Sequence, residues 1–153
     1  DTAFEFIIDN GVVLEKDYPY LPLKSECKAN SLQKKIELNR MLYCSNKDEN
    51  KELHCNYGVG DKCRDFLQWS PVSTAIDAEA FDFQHYSSGI FESKCTKANH
   101  AVIITEITDE YVKIRNSWGE SWGEKGYMKI RRNHNNNYSC FTEEDCFAAI
   151  DDK

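Results

Sequence analysis

Residues 99–127 read NHAVIITEITDEYVKIRNSWGESWGEKGY. Two runs in it, Ala101 to Glu106 and Tyr111 to Arg115, are rich in β-branched and aromatic residues and predict strands. Asp109-Glu110 between them is short enough for a tight turn, so the pair predicts a hairpin. His100 opens the first run and Asn116 follows the second, sixteen residues apart. A hairpin would bring them together. A histidine can take a proton from a thiol or hydroxyl, and an amide oxygen against its far ring nitrogen would fix the tautomer without adding charge. Trp118 is near enough to cover such a contact from water. On spacing alone, an ordinary surface histidine and a turn asparagine are the readier reading.

The chain of 153 residues is about one domain long. Its net charge of -7, with no basic block, argues against a binder of phosphate backbones, so no nucleic-acid partner is expected. No apolar run approaches the roughly 18 residues of a membrane span, and nothing resembles a signal peptide. Asp1 already lies in an amphipathic helical pattern, which predicts that something upstream was processed off or sits on another chain. The seven cysteines, at 27, 44, 55, 63, 95, 140 and 146, form no CxxC pair and are accompanied by only four histidines. They point to disulfides in an oxidising compartment ahead of a zinc site. An odd count leaves one thiol free or one bond leaving the chain. Asn137-Tyr138-Ser139 is an N-glycosylation sequon, compatible with secretion.

Along the chain, Ala3, Phe4, Ile7 and Ile8 recur at helical spacing and Asn10-Gly11 is a helix stop. Segment 30–68 is polar, and its order is expected to rest on its three cysteines more than on a core. Asp65 to Trp69 finishes a short helix before Pro71, and Val72 to Ile76 reads as a strand. The stretch through Phe81, Phe83 and Tyr86 reads as a helical turn ending near Gly89, Tyr127 to Arg131 as another strand, and Asn133 to Asn137 as an irregular loop. Helix first and antiparallel strands later suggest an α+β unit.

Asn116-Ser117-Trp118-Gly119 with Trp122-Gly123 and Gly126-Tyr127 resembles the asparagine motif of papain-like cysteine peptidases of the cathepsin L/B kind, and Asn99-His100-Ala101-Val102 resembles their histidine motif. Further matches follow in order: Ala3-Phe4-Glu5-Phe6, Tyr18-Pro19-Tyr20, Cys27, Pro71-Val72-Ser73, Tyr86 to Phe91, and the Cys140 segment. The resemblance covers nearly the whole chain. It implies an α+β papain-like fold in which 1–29 end the helical subdomain, 30–68 form a divergent cysteine-rich link and 69–153 form the β-rich subdomain. His100 then matches the general base and acid, Asn116 its orienting residue, Trp118 the shield over the pair, and Trp122 an aromatic lining the leaving-group side.

By the same resemblance the nucleophilic cysteine and the oxyanion glutamine lie upstream of Asp1. The expected molecule is therefore a partial, C-terminal portion of the catalytic domain, inactive alone and completed by another chain. That N-terminal partner would carry the thiol and be disulfide-linked through Cys27, with a free buried thiol at Cys27 as the alternative. Cys95 resembles a partner of Cys140, while Cys44, Cys55, Cys63 and Cys146 could form two bridges in three ways. Ala75, Ala98, Asn99 and Asp145 are placed around the pocket for the substrate residue second from the scissile bond. Asp145 would either pair there with arginine or belong to the solvated run Glu143-Glu144-Asp145. Ser70 for glycine, Thr105 to Thr108 in place of Gly-Tyr-Gly, and Phe141 depart from the family pattern. The implied activity is hydrolysis of peptide bonds by a thiol endopeptidase, made as a zymogen, with no metal or organic cofactor. A non-catalytic scaffold of the same fold is the alternative. The compartment implied is secreted, lysosomal or vacuolar.

Overall fold

The structure, a computed structural model, describes residues 2–28, 31–32, 36–45, 59–93, 97–132 and 145–150. Cys55, Cys95, Cys140, the sequon at Asn137 and the loop expected from Asn133 lie outside the described residues. The chain divides into two compact units, 1–41 with 149–153, and 42–148.

In the first unit, α1 spans Thr2–Asn10. Asn10 donates its side-chain N–H back to Phe6 O, and Gly11 closes the helix at φ 67°, a left-handed position where the missing Cβ removes the steric penalty. α1 buries no residue fully, and Phe6 is 51% exposed. Val12 and Ile36 form an antiparallel bridge, each N–H donating to the other's carbonyl. Cys27 is exposed and its thiol is unpaired within the chain.

The second unit holds most of a seven-stranded sheet. Its strands are β1 (Arg40–Ser45), β2 (Val72–Ile76), β3 (Ile90–Phe91), β4 (His100–Ile107), β5 (Tyr111–Arg115), β6 (Tyr127–Arg131) and β7 (Asp145–Ile150). Their order across the sheet is β1-β7-β2-β4-β5-β6-β3. Helices α2 (Val59–Phe66) and α3 (Phe81–Gln84) lie between strands in sequence. β2, β4, β5 and β6 pair antiparallel in succession, and β3 runs parallel to β6.

Period-two alternation builds the core. Val72 and Ile76 of β2, Val102, Ile104 and Ile107 of β4, Val112 and Ile114 of β5, and Met128 and Ile130 of β6 are all buried. The spacing from Ile104 to Ile107 breaks the alternation, and the structure absorbs the extra residue. The β4–β5 register shifts between Ile104 and Glu106, so a bulge at Thr105 returns Ile107 to the core face. Thr108 closes the turn by accepting from the N–H groups of Glu110 and Tyr111.

Strands expected at 72–76, 111–115 and 127–131 stand as read, and the strand expected from Ala101 begins one residue earlier, at His100. Segment 30–68 is more regular than its polarity suggested. It contains β1 and α2, with Cys44 and Cys63 buried in the core. α2 ends at Phe66, and a turn carries the chain on to Ser70, whose N–H donates to Phe66 O. Cys63 bonds to Cys146, one of the pairings left open, and ties α2 to β7. Asp145, the end of the acidic run, is the first residue of β7.

A polar clamp joins the loop after α3 to the loop before β6. Tyr86 donates its hydroxyl to Gly89 O at 2.7 Å, Gly89 N–H donates to Glu124 Oε1 at 3.0 Å, and Lys129 Nζ lies 3.1 Å from Glu124 Oε2. The Gly89 N–H, then Lys129, hold the Glu124 carboxyl below its ordinary value, against some desolvation. A carboxyl with a lowered folded pKa stabilises the fold above its unfolded pKa, about 4.3 for glutamate. That contribution drains as pH falls through the lowered folded value. Glu124→Gln is therefore expected to lower the melting temperature at pH 7, with the gap to the parent closing towards pH 3; an equal gap at both would refute this.

The Cys63–Cys146 bond closes a separation of 83 residues between two fully buried sulfurs. Removing it in a Cys63→Ala/Cys146→Ala double variant is expected to lower unfolding stability by about 4 kcal/mol. Urea denaturation reads this as a lower midpoint.

Candidate active site

Register and parity bring His100 and Asn116 together. His100 shares a face of β4 with Val102 and Ile104, and Asn116 extends the face of Val112 and Ile114 one step past β5. Ile103 pairs with Arg115 and Ile104 with Ile114, so both residues fall at the same end of the β4–β5 pair. His100 Nε2 lies 2.8 Å from Asn116 Oδ1, which also accepts the backbone N–H of Ser117 at 2.7 Å. The second contact settles the amide's orientation, because turning it over would face its NH2 against the Ser117 N–H. An amide oxygen only accepts, so His100 Nε2 carries the proton and donates, leaving Nδ1 open to receive one. Asn116 is 6% exposed.

Aromatic rings roof this pair. Trp118 has its ring centroid 5.2 Å from that of His100 and meets Phe83 edge-on at 5.5 Å. Trp122, buried, stands 5.5 Å from Trp118 and 5.3 Å from Phe83, and its Nε1–H donates to Gln84 O. Phe83 is completely buried, so α3 supplies the base on which both indoles rest. The loop carrying them is closed by Asn116 N–H donating to Gly126 O and Gly126 N–H to Trp122 O. Gly123 has φ 57°, and a Cβ there would meet Tyr127 O at 2.5 Å, so the loop admits no side chain at that point.

The expected pocket residues separate. Val72 pairs with Ala148 and Ser73 with Phe147; continued two residues, this register sets Asp145 beside Ala75. Thr74 Oγ1 donates to Asp145 O at 2.8 Å in agreement. Ala75 pairs on its other side with Ala101. Asp145, Ala75 and Ala101 thus form one row across β7, β2 and β4 on a common face. A groove of about 350 Å3 runs over that face, lined by Ala101 with Ser73, Ile103, Arg115 and Ser117 among others. Asn99 is engaged elsewhere, donating to Asp77 Oδ1 and accepting from Ala78 N–H. Ala98, half-buried, precedes it. Ala101, not singled out in sequence, joins this row through its pairing with Ala75. Among the described residues no cluster of three or more His, Cys, Asp or Glu side chains is placed to hold a metal ion, and no helix is long and apolar enough to cross a membrane.

Comparison with known proteins places these features. The model of the papain family cysteine proteases matches residues 1–150. Macrodontain-1 of Ananas macrodontes is 36% identical over 133 residues, covering 85% of this chain and 57% of the relative. Cysteine proteinase COT44 of Brassica napus is 39% identical over 142 residues, 87% of this chain and 39% of the relative. The chain thus spans less than three fifths of these relatives' length. The crystal structure of the Carica candamarcensis cysteine protease CMS1MS2, in complex with E-64, superposes with a TM-score of 0.84 at 26% identity, over 99% of this chain and 67% of that one.

These matches overturn the two-chain reading. Everything matched here is carried in one polypeptide by the solved relative, and the family model matches 1–150 of this chain. The expectation of a partial fold completed by another chain is corrected accordingly: the solved relative forms the matched fold within a single polypeptide. The expectations of a split enzyme with an N-terminal partner bearing the catalytic Cys and oxyanion Gln, and of a non-catalytic scaffold, are corrected by the match of 1–150 to the papain family cysteine proteases, whose solved relative is a single polypeptide. The inference to a partner rested on placing the nucleophile and the oxyanion glutamine upstream of Asp1, with the odd cysteine as support. With an α+β fold of this kind, a histidine bonded to an asparagine beneath a tryptophan and a family match over 1–150, the chain belongs to the papain family of cysteine proteases.

Proposed function

We propose that the protein is a single-chain thiol endopeptidase in which nucleophile, base and orienting residue belong to one polypeptide. The observation that carries this is the 2.8 Å contact from His100 Nε2 to Asn116 Oδ1, roofed by Trp118, in a chain that matches the family over 1–150. The thiol passes its proton to the open Nδ1 of His100 and the thiolate attacks the peptide carbonyl carbon. The imidazolium then returns that proton to the leaving amine as the C–N bond breaks, leaving a thioester. Water, losing a proton to Nδ1, adds to the thioester; the acid departs and the thiol is restored. Asn116 keeps the ring in the tautomer that exposes Nδ1, and Trp118 shelters their hydrogen bond from competing water.

An irreversible epoxide directed at thiols tests this reading. One equivalent is expected to label the polypeptide that carries His100, and peptide mapping identifies the cysteine. His100→Ala is expected to slow peptide hydrolysis by roughly a hundredfold or more. Label on a separate polypeptide, or none, would sink the proposal.

The row Asp145, Ala75, Ala101 is proposed to border the pocket for the second residue before the scissile bond. Two alanines leave room for a large side chain, and the carboxylate at one end favours arginine over an aliphatic group of similar size. Ala75→Phe is expected to reduce kcat/KM for bulky residues at that substrate position. Asp145→Ala is expected to erase any advantage of arginine there; an unchanged substrate profile in both variants would count against the assignment. A secreted, lysosomal or vacuolar location is proposed as well, supported by the buried Cys63–Cys146 bond, since such bonds persist in oxidising compartments.

A further inference from the structure

Asp77 is buried, 5% exposed, and the peptidase chemistry above gives it no part. It stands one residue beyond β2. Its Oδ1 accepts the backbone N–H of Glu79 at 3.1 Å and the side-chain N–H of Asn99 at 3.1 Å, and its Oδ2 accepts the Lys97 N–H at 3.4 Å. Asn99 answers with its own oxygen, which accepts the Ala78 N–H at 2.9 Å, and with its backbone N–H, which donates to Ile76 O at 2.9 Å. Four hydrogen bonds therefore tie 97–99 to 76–78, and two of the four end on the Asp77 carboxylate.

The next residue is His100. It is the first residue of β4, and its cross-strand partner is Ile76, the residue before Asp77. A strand's first residue has the ladder on one side only, so the direction of its side chain depends on the backbone that enters it. That backbone is 97–99. A carboxylate accepting several N–H groups at close to fixed geometry is a stiffer anchor than the neutral turn contacts common in loops.

We propose that Asp77 is a positioning residue: by holding 97–99 against the end of β2, its carboxylate sets the direction in which His100 presents its ring to Asn116 and to the reacting thiol. The catalytic half of this statement rests on the thiol-peptidase reading; the geometric half does not. Loosening the anchor leaves the substrate-binding row Asp145, Ala75, Ala101 in place and spoils the alignment of the base. The consequence is a loss in kcat with KM little changed.

Two variants test it in the full chain. Asp77→Ala removes all three acceptor contacts, while Asp77→Asn keeps an oxygen for Glu79 and Asn99 and loses the acceptor for Lys97. The Nε2–H proton of His100, assigned by its absence in His100→Ala, is followed by NMR alongside kinetics and the melting temperature. In Asp77→Ala we expect kcat to fall roughly ten- to a hundredfold with KM within about twofold, and the Nε2–H resonance to broaden or vanish. Asp77→Asn should lie between it and the parent. If the alanine variant does not fold, the asparagine variant carries the test alone. An unchanged resonance and kcat in a folded variant would overturn the proposal, as would a loss of activity that only follows the folded fraction. Should the parent show no peptidase activity, the resonance still decides the geometric half: its loss in the Asp77 variants supports that half, and its persistence refutes it.

Discussion

The oxygen of the Asn116 side chain receives two donors, the Nε2–H of His100 and the N–H of Ser117, and the geometry around the site follows from keeping both. An oxygen with two lone pairs can serve both only if the histidine reaches it from the same face of the sheet and from the same end of the hairpin. Antiparallel pairing in the register of Ile103 with Arg115 provides that. The bulge at Thr105 is the complement of this arrangement. It takes up one residue in the middle of β4, so that the site end keeps Val102 and Ile104 in the core while the turn end buries Ile107. An unbulged pairing would turn Glu106 inward or draw His100 out of line.

Much of this was legible in sequence because the relevant signals are local. Val72 to Ile76, Tyr111 to Arg115 and Tyr127 to Arg131 alternate cleanly, and the short Asp109-Glu110 link leaves little choice but a hairpin. What escaped notice is non-local. β1 hides in a polar segment, since Arg40 and Ser45 flank only a few apolar residues, of which Tyr43 stacks on Phe147 of β7. β7 begins on Asp145, which in isolation reads as the tail of an acidic run; Cys146 and Ala148 beyond it are buried, with β2 paired alongside. Asp77 escaped for the same reason. A carboxylate after a strand looks solvated until its partners, twenty residues downstream, are known. The cysteine count constrained less: odd parity allows either one free thiol or one bond leaving the chain, and within this chain Cys27 is unpaired.

Three polar side chains are buried among the described residues: Thr74, Asp77 and Asn116. Each is bonded across strands or to a segment adjoining one, Thr74 to β7, Asp77 to 97–99 and Asn116 to His100. A buried polar group left unpaired costs about 1–3 kcal/mol, so such groups accumulate where their bonds fix something that apolar packing cannot. Apolar contacts set distance between strands but are tolerant of small rotations. Hydrogen bonds are directional, and here they register β7 on β2, the entry to β4 on the end of β2, and the imidazole on the end of β5.

Asn116 also shows what this arrangement gives up. Its Nδ2 is buried and makes no hydrogen bond within the described protein. A carboxylate at this position would accept the same two N–H groups and leave no donor stranded, so packing and hydrogen bonding alone favour aspartate. The difference lies in charge. A buried carboxylate against Nε2 would favour the imidazolium strongly and hold a proton that the base must release and recover in each cycle. The amide supplies the same geometry while leaving the charge of the ring to be set by the reacting thiol. On the proposed peptidase reading, a stranded N–H is the structural cost of orienting the histidine without biasing its protonation.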